Sequence, residues 1–307
     1  MTTLRGTLKY DEPTARHVSW RAGGVAARAY WPADQDDLVQ FLKLQPANER
    51  IIFVGLGSNL LVRDGGFKGT VVLVHGRLDH IDIATSPDGA WEVFAEAGVA
   101  APKVARFAAR HGMEGAEFLA GVPGTVGGAL AMNAGCYGSE TWQFVKTVTT
   151  VDRHGELRTR MPQDYEIGYR HVALHAMNPR SAIFDSGEWF VSARFSFPDG
   201  DEAIAKSRIK DLLTRRIVTQ PLDWPNAGST FRNPPGDHAA RLIESCGLKG
   251  HTQGGAQVSE KHANFIINLG TASAADIESL IDLMHSTVLE KTDVDLVREV
   301  RIVGDGK

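Results

Sequence analysis

IIFVGLGSNLLVRDGG, residues 51–66, runs from an apolar, β-branched segment into Gly55 and Gly57, continues through Ser58, Asn59 and Leu60, and closes on Gly65 and Gly66. Glycine takes positive φ and lets another group approach the backbone, and a turn leaves N–H groups pointing outward, an arrangement suited to phosphate. The two common nucleotide loops are absent: no Lys-Ser/Thr follows the glycines, and no GxGxxG opens a helix, since NLLVRD resumes an extended pattern. Taken alone, the loop reads as a glycine-rich turn between two strands.

A second segment repeats its logic. GAEFLAGVPGTVGGALAMNAGCYG (115–138) holds seven of the 32 glycines, so its composition is local and deliberate. After Gly121, the Pro123-Gly124 turn leads to Thr125, placed to cap a short helix whose first turn, with Gly127 and Gly128, is nearly bare of side chains. Small residues then run on to Asn133 and Gly135. On such a surface a planar or anionic ligand can lie directly against backbone. Close helix packing also wants Gly and Ala, but two segments exposing backbone in the same way read together as one ligand cradle.

The surrounding pattern is mixed. QDDLVQFLKL (35–44) and APKVARFAARHGM (101–113), the latter opened by Pro102, have helical period, while IIFVGLGS, GTVVLVH (69–75) and WEVFAEAG (91–98) read as strands. VKTVTTVDRHGELRTRM (145–161) predicts a hairpin turning at His154-Gly155, and AIFDSGEWFVSARFSF (182–197) another around Ser186-Gly187. The polar PDGDEA (198–203) marks a domain boundary. Beyond it come a charged helix (202–218), a helix HAARLIESCG (238–247), the strand-like ANFIINLG (263–270), a long helix capped by Ser273 (273–292), and a closing strand LVREVRIVG (296–304). Without regular βα alternation, an α+β fold with mixed sheets is expected.

At 307 residues the chain has room for about two domains. Its 33 basic and 37 acidic residues give a formal charge of −4 with no long basic run, which disfavours nucleic acid as a partner. Cys136 and Cys246 build neither a disulfide framework nor a metal ladder and read as reduced thiols of a cytosolic protein. No apolar signal region and no spanning apolar run is seen, so neither membrane nor metal is expected.

Three polar residues sit where a core argument does not want them. Ser229 lies between Gly228 and Thr230 in the Pro/Trp/Asn-rich loop QPLDWPNAGSTFRNPPG (220–236), Arg170 ends YEIGYR, and Glu299 interrupts LVREVRIV. Strand alternation would put Glu299 on one face with Val297 and Arg301, with Arg298, Val300 and Ile302 opposite. Each has an ordinary reading: Ser229 a turn former, Arg170 a surface ion pair, Glu299 an exposed edge residue. Spacing alone does not join them.

GLGSNLLVRDGGF, GAEFLAGVPGTVGGALAMNAGCYG, YEIGYR, GSTFRNP, GLKGHTQGGAQVSEKHANFIIN and EVRIVG follow one another in the order, and with roughly the separations, seen in the UDP-N-acetylenolpyruvoylglucosamine reductases, the MurB family of peptidoglycan synthesis. The chain resembles that family from about Trp20 to Gly304. The resemblance implies an FAD-binding fold of the vanillyl-alcohol-oxidase or PCMH type: residues 1–198 as two subdomains (1–66 and 67–198), with 300–307 returning to the first, and a substrate-binding α+β domain at 199–299. It further implies non-covalent FAD, held by Gly55, Gly57, Ser58, Asn59 and Leu60 on one side and by Gly121, Pro123, Gly124, Thr125, Gly127, Gly128, Asn133 and Gly135 on the other, with SWRAGGVA (19–26) also close to it.

The reaction implied is transfer of hydride from NADPH to FAD and then to the enolpyruvyl ether of the UDP-sugar, giving UDP-N-acetylmuramate. Ser229 matches the family's proton donor, and Arg170 and Glu299 match the pair acting on the substrate carboxylate. Asn233 is implied as a ligand of the substrate diphosphate, as is Lys261 or His262. The FSFPDGDEAIAK region is too short for the tyrosine-bearing insertion of the best-studied branch, so the chain resembles the shorter, second type, and Arg215 or Arg216 is the candidate cover for the nucleotide. HVAL follows Arg170 where many relatives carry a serine. A cytoplasmic monomer is expected. Two rivals are an FAD-dependent oxidase of the same fold, distinguished by rapid reoxidation with oxygen, and a flavin or nucleotide sensor without turnover, which the Arg170, Ser229 and Glu299 set opposes.

Overall fold

The computed structural model describes residues 3–86, 89–175 and 183–306. Strands β1 (Thr7–Pro13) and β2 (Val25–Trp31) precede helix α1 (Gln35–Lys43). Asp34 closes the start of α1: its carboxylate accepts the N–H of Asp37 at 2.9 Å, one of the donors a helix start leaves without a partner. Then follow β3 (Ile51–Val54), β4 (Leu60–Val62), β5 (Phe67–Leu73), β6 (Ile81–Thr85), β7 (Trp91–Glu96) and α2 (Ala101–Arg110), the last with Pro102 in its first turn as expected. The glycine-rich segment contains α3 (Val126–Ala131), β8 (Gly135–Cys136) and β9 (Ser139–Glu140).

β10 (Val145–Asp152) and β11 (Leu157–Arg160) form the hairpin expected from His154-Gly155, with Thr150 opposite Arg158. β12 (Tyr165–Gly168) and β13 (His171–Leu174) form another hairpin that sequence reasoning missed. Over 182–197 the expected hairpin is replaced by a 3-10 turn at Ile183–Asp185 and a single strand, β14 (Glu188–Phe195); Ala182 lies outside the described residues. β14 is the middle strand of an antiparallel sheet ordered β11-β10-β14-β7-β6, and six of its eight residues are buried. A strand covered on both faces has no solvent side from which alternation could be read.

α4 (Glu202–Thr219), α5 (Ala239–Ser245), β15 (Thr252–Gln253), β16 (Ala256–Val258), β17 (Ile266–Asn268), α6 (Ala274–Thr292) and β18 (Arg301–Val303) complete the chain. Ser273 accepts the Asp276 N–H at 3.1 Å while the Asp276 carboxylate takes the Ser273 N–H at 2.9 Å, a reciprocal cap that sets the start of α6. The closing strand is shorter than expected: only Arg301–Val303 are extended in register, running parallel to Leu60–Val62.

Packing divides the chain into two units, neither continuous in sequence. The first comprises the segment ending at Lys9 together with Ala29–Leu56 and Val71–Arg215; the second comprises Tyr10–Arg28, Gly57–Thr70 and the chain from Arg216 onward. The first unit buries α2, β7 and β14 around Val104, Leu119, Phe190 and Phe195, with a second cluster around Tyr30, Leu38 and Phe41. The second packs α5 and α6 around Trp20, Leu280, Ile281 and Met284, none of them exposed, each such side chain contributing about 1.5–3 kcal/mol on burial. Trp20 is locked there: its indole N–H donates to Ile266 O at 2.8 Å, and Asn268 returns a bond to Trp20 O at 2.8 Å.

Candidate active site

In the first unit the two glycine-rich segments meet. A Cβ on Gly55 would lie 2.2 Å from Thr125 Oγ1 and 2.8 Å from its Cγ2, so the end of β3 reaches Thr125 only because residue 55 has no side chain. Thr125 is held by an antiparallel bridge to Ala100, and it stands at the N-cap of α3 without accepting a bond from the helix. That corrects the expected cap: its hydroxyl is buried and has no hydrogen-bond partner among the described residues, a cost that a ligand acceptor would relieve.

The helix start is also less bare than expected. Val126 N–H donates to Val99 O at 2.8 Å and Gly127 N–H to Ala97 O at 2.9 Å, which fastens α3 to the turn between β7 and α2 and removes two donors from any ligand. Gly127 is a packing glycine, its Cβ falling 3.0 Å from Ala97 Cβ, whereas a Cβ on Gly128 would meet only Thr125 Oγ1, at 3.9 Å. Gly128 therefore presents bare backbone beside an unpartnered hydroxyl, the features a flat, oxygen-rich ligand requires.

The neighbouring expected residues serve the loop itself. Gly124 O accepts the Ala101 N–H at 2.9 Å, and the missing side chains of Gly121 and Gly135 make room for Cys136 Sγ and Ser139 O. Asn133 corrects an expectation. Its Nδ2 hydrogens go to Glu140 Oε2 at 2.7 Å and Gly168 O at 3.0 Å, while Oδ1 accepts the Trp142 N–H at 3.2 Å, leaving no donor for a cofactor. Arg170 occupies the β12–β13 turn with φ +55°, its guanidinium donating to Asn133 O and Gly135 O and lying over the Tyr169 ring.

The second unit contains the rest of the first loop. Gly57, at φ +60°, packs where a Cβ would strike His17 O at 2.1 Å, and its carbonyl accepts the Ser19 N–H at 3.1 Å. Ser58 is half-buried, and Leu60 pairs with Arg301. Asn59 Nδ2 donates to Glu299 O at 3.1 Å, and Asn59 O accepts the Arg301 N–H at 3.0 Å.

The segments that carry two expected catalytic residues, Ser229 and Glu299, are joined here by backbone bonds. Gly228, at φ +75°, turns the chain into Ser229, its N–H held by Asn226 Oδ1 at 3.0 Å. The next residues are clamped on both sides: Thr230 N–H donates to Asn264 O, Phe231 exchanges two bonds with the Asn264 amide, Glu299 N–H donates to Thr230 O at 2.8 Å and Arg232 N–H to Val297 O at 2.9 Å. Ser229 thus directly precedes the residue whose carbonyl takes the backbone N–H of the half-buried Glu299. The expected alternation through 296–300 fails because Val300 N–H also reaches Thr230 O, at 3.4 Å, so two residues face one.

The expected substrate ligands are positioned by local bonds. Asn233 Oδ1 accepts the Ala239 N–H at 3.1 Å, supporting the start of α5; Lys261 Nζ donates to Ile217 O at 2.6 Å; Arg216 Nε donates to Gln220 Oε1 at 2.8 Å. Burial pushes the His262 imidazole below its ordinary value, and its buried Nδ1 lacks a partner among the described residues. In the first unit Arg215 lies over the Tyr137 ring at 5.9 Å, and Tyr137 donates to Leu212 O at 2.9 Å. Glu140 was missed from sequence, although its Glu-x-x-Gln spacing to Gln143 is a capping signal. Among the described residues no cluster could hold a metal ion, and no helix is long and apolar enough to cross a membrane.

Residues 220–303 match the family model of the UDP-N-acetylenolpyruvoylglucosamine reductase C-terminal domain, and residues 26–160 match that of the FAD binding domain. A UDP-N-acetylenolpyruvoylglucosamine reductase of Thiobacillus denitrificans is 55% identical over 311 residues, covering 98% of this chain and 94% of that protein. The chain belongs to the UDP-N-acetylenolpyruvoylglucosamine reductase family. The reductase of Legionella pneumophila (strain Lens) is 53% identical over 306 residues, covering 99% and 95%. The crystal structure of UDP-N-acetylenolpyruvylglucosamine reductase (MurB) from Thermus caldophilus matches with a TM-score of 0.78 at 28% identity, covering 98% and 99% of the two chains. The expected α+β fold with an FAD-binding region is therefore found, and FAD is the cofactor of this flavin-dependent member of the MurB family.

Proposed function

We propose that the protein reduces the enolpyruvyl double bond of UDP-N-acetylenolpyruvoylglucosamine, with NADPH as reductant, to give UDP-N-acetylmuramate for peptidoglycan precursors. Bound FAD would supply the hydride chemistry that links the nicotinamide to the outer carbon of that double bond. The observation that supports the reading is the backbone bond from Glu299 to Thr230, which joins the loop carrying Ser229 to the segment carrying Glu299 within the region matching the reductase C-terminal domain.

The chain's own residues deal with the charge that the addition creates. Negative charge builds on the inner carbon and its carboxylate, so a fixed cation and a proton donor are needed. Arg170 supplies the cation, Glu299 acts with it on the carboxylate, and Ser229 Oγ delivers the proton to carbon. A serine hydroxyl is a weak acid, so delivery depends on alignment, which the Asn226 and Asn264 bonds supply.

FAD would be held by Thr125 Oγ1 and the bare backbone of Gly128, with Gly55 giving close approach and Gly57, Ser58, Asn59 and Leu60 offering backbone and polar groups. Asn233, Lys261, His262 and Arg216 would serve the nucleotide of the substrate. The FAD-binding region would run over 1–198 with 300–307, and the substrate-binding domain over 199–299. We infer a monomer acting in the cytoplasm, without nucleic acid or membrane, from the small nucleotide reactants and the balanced charge.

The test is anaerobic NADPH oxidation in the presence and absence of the UDP-enolpyruvyl sugar. Oxidation that depends on the sugar and forms the lactyl ether is expected. Turnover with oxygen but not with the sugar would overturn the reading in favour of an oxidase.

A further inference from the structure

Arg170 is held in an unfavourable backbone conformation. It is the second residue of the turn between β12 and β13, where Gly168 pairs with His171, and its φ of +55° is one that side chains other than glycine rarely adopt. Such a conformation persists only where its surroundings over-determine it. Here Nη1 donates to Asn133 O at 3.3 Å and Nη2 to Gly135 O at 2.8 Å, while the Tyr169 ring lies 5.1 Å away. A guanidinium carries its five N–H groups in one rigid plane, so two carbonyls on it direct the whole plane.

One amide ties the segment that offers those carbonyls to the Arg170 turn. Asn133 is buried at φ +42°; its Nδ2 donates to Gly168 O, where the Arg170 turn leaves β12, and to Glu140 Oε2. The same side chain thus ties the turn that carries Arg170 to the segment that receives its guanidinium. Glu140 is fixed in turn by a reciprocal cap with Gln143 and by pairing of β9 with β8 at Gly135.

We propose that Asn133, held by Glu140, is a positioning residue for Arg170 and aims its guanidinium at the substrate carboxylate. This rests on the role of Arg170 given above. Asn133 touches no reacting atom and donates nothing to the cofactor; it acts only through Arg170.

The experiment uses the flavin-loaded enzyme with Glu140→Ala, Glu140→Gln and Asn133→Asp, the last keeping shape while losing both donors and setting a carboxylate against Glu140. Each is made in the wild-type and the Arg170→Lys background. Flavin content, bleaching by NADPH and recolouring by the UDP-enolpyruvyl sugar are measured separately. Glu140→Ala and Asn133→Asp should keep flavin and bleaching rate within about twofold and slow recolouring by roughly 10- to 100-fold, the scale of a misaligned catalytic group. Glu140→Gln, which retains an acceptor oxygen, should recover most of the loss.

In the Arg170→Lys background the same substitutions should cost under about threefold more, because groups acting through one another are not additive. Equal costs in both backgrounds, or loss of flavin from both Glu140→Ala and Asn133→Asp, overturn the proposal alone. If Arg170→Lys leaves recolouring unchanged, the assignment of Arg170 itself fails and takes this proposal with it.

Discussion

The backbone N–H of Glu299 donates to the carbonyl of Thr230 at 2.8 Å, which joins the loop carrying Ser229, the residue before Thr230, to the segment carrying Glu299. Proton delivery to carbon belongs only to the step with the sugar. Ser229→Ala should therefore leave flavin bleaching by NADPH nearly intact and slow recolouring by on the order of 10² to 10⁴, the usual cost of losing a positioned acid. Ser229→Cys should regain part of the rate, since a thiol also donates a proton. Stopped-flow traces read the two steps apart; equal slowing of both, or of neither, would transfer the donor role to Glu299.

Gly127 and Gly128 are neighbours with opposite surroundings. A Cβ on Gly128 has only Thr125 Oγ1 near it, whereas one on Gly127 would press on Ala97 Cβ and, at 3.3 Å, on Ala97 O. Gly128→Val should fold but purify colourless, while Gly127→Val should lose stability first. Flavin absorbance per polypeptide and melting of the apoprotein measure both, and full flavin content in Gly128→Val would reduce the segment to a packing device.

FAD should be released by denaturation. Neither glycine-rich loop carries a histidine, and the one thiol in them, Cys136, donates to Phe118 O at 3.0 Å within the protein. Acid precipitation should leave the yellow colour in the supernatant. Colour that stays in the pellet would mean a covalent link.

His262 should make stability depend on pH. Burial lowers its pKa, so between the folded value and the ordinary 6.5 the unfolded chain binds more protons than the folded one. Stability then rises with pH through that window, is fully present above about 6.5, and is lost as the pH falls toward the folded value. The melting temperature should fall from pH 7.5 to 5.5 and do so less steeply in His262→Gln. Parallel curves for the two proteins would exclude His262 as the source.

Elements with local chemical marks were legible in sequence: the Ser273 cap and the His154-Gly155 turn each act within a few residues. The β12–β13 turn was not, because Arg170 bears the positive φ that Gly or Asn would have advertised. β14 was misread because burial on both faces erases alternation. At the site, Gly55 and Thr125 share a backbone-exposing pattern visible in one dimension. The side chain of Asn133 is bonded to partners at 140, 142 and 168, and no local pattern joins the three to it. Ser229 and Glu299 were linked only by the order of family motifs, since each alone is an unremarkable polar residue.

The parallel pairing of Arg301–Val303 with Leu60–Val62, flanked by the Asn59–Glu299 bond that spans 240 positions, sets a timetable for the newly made chain. At ribosomal speeds of about 5–20 residues per second, β4 is translated roughly 10–50 s before its partner exists. Until the final stretch leaves the exit tunnel, one edge of β4 has no strand beside it, and an open edge invites pairing with a foreign chain. A message cut short before codon 299 would yield a polypeptide with that edge permanently exposed, so an unfinished copy is sticky, a form that chaperones and proteases recognise.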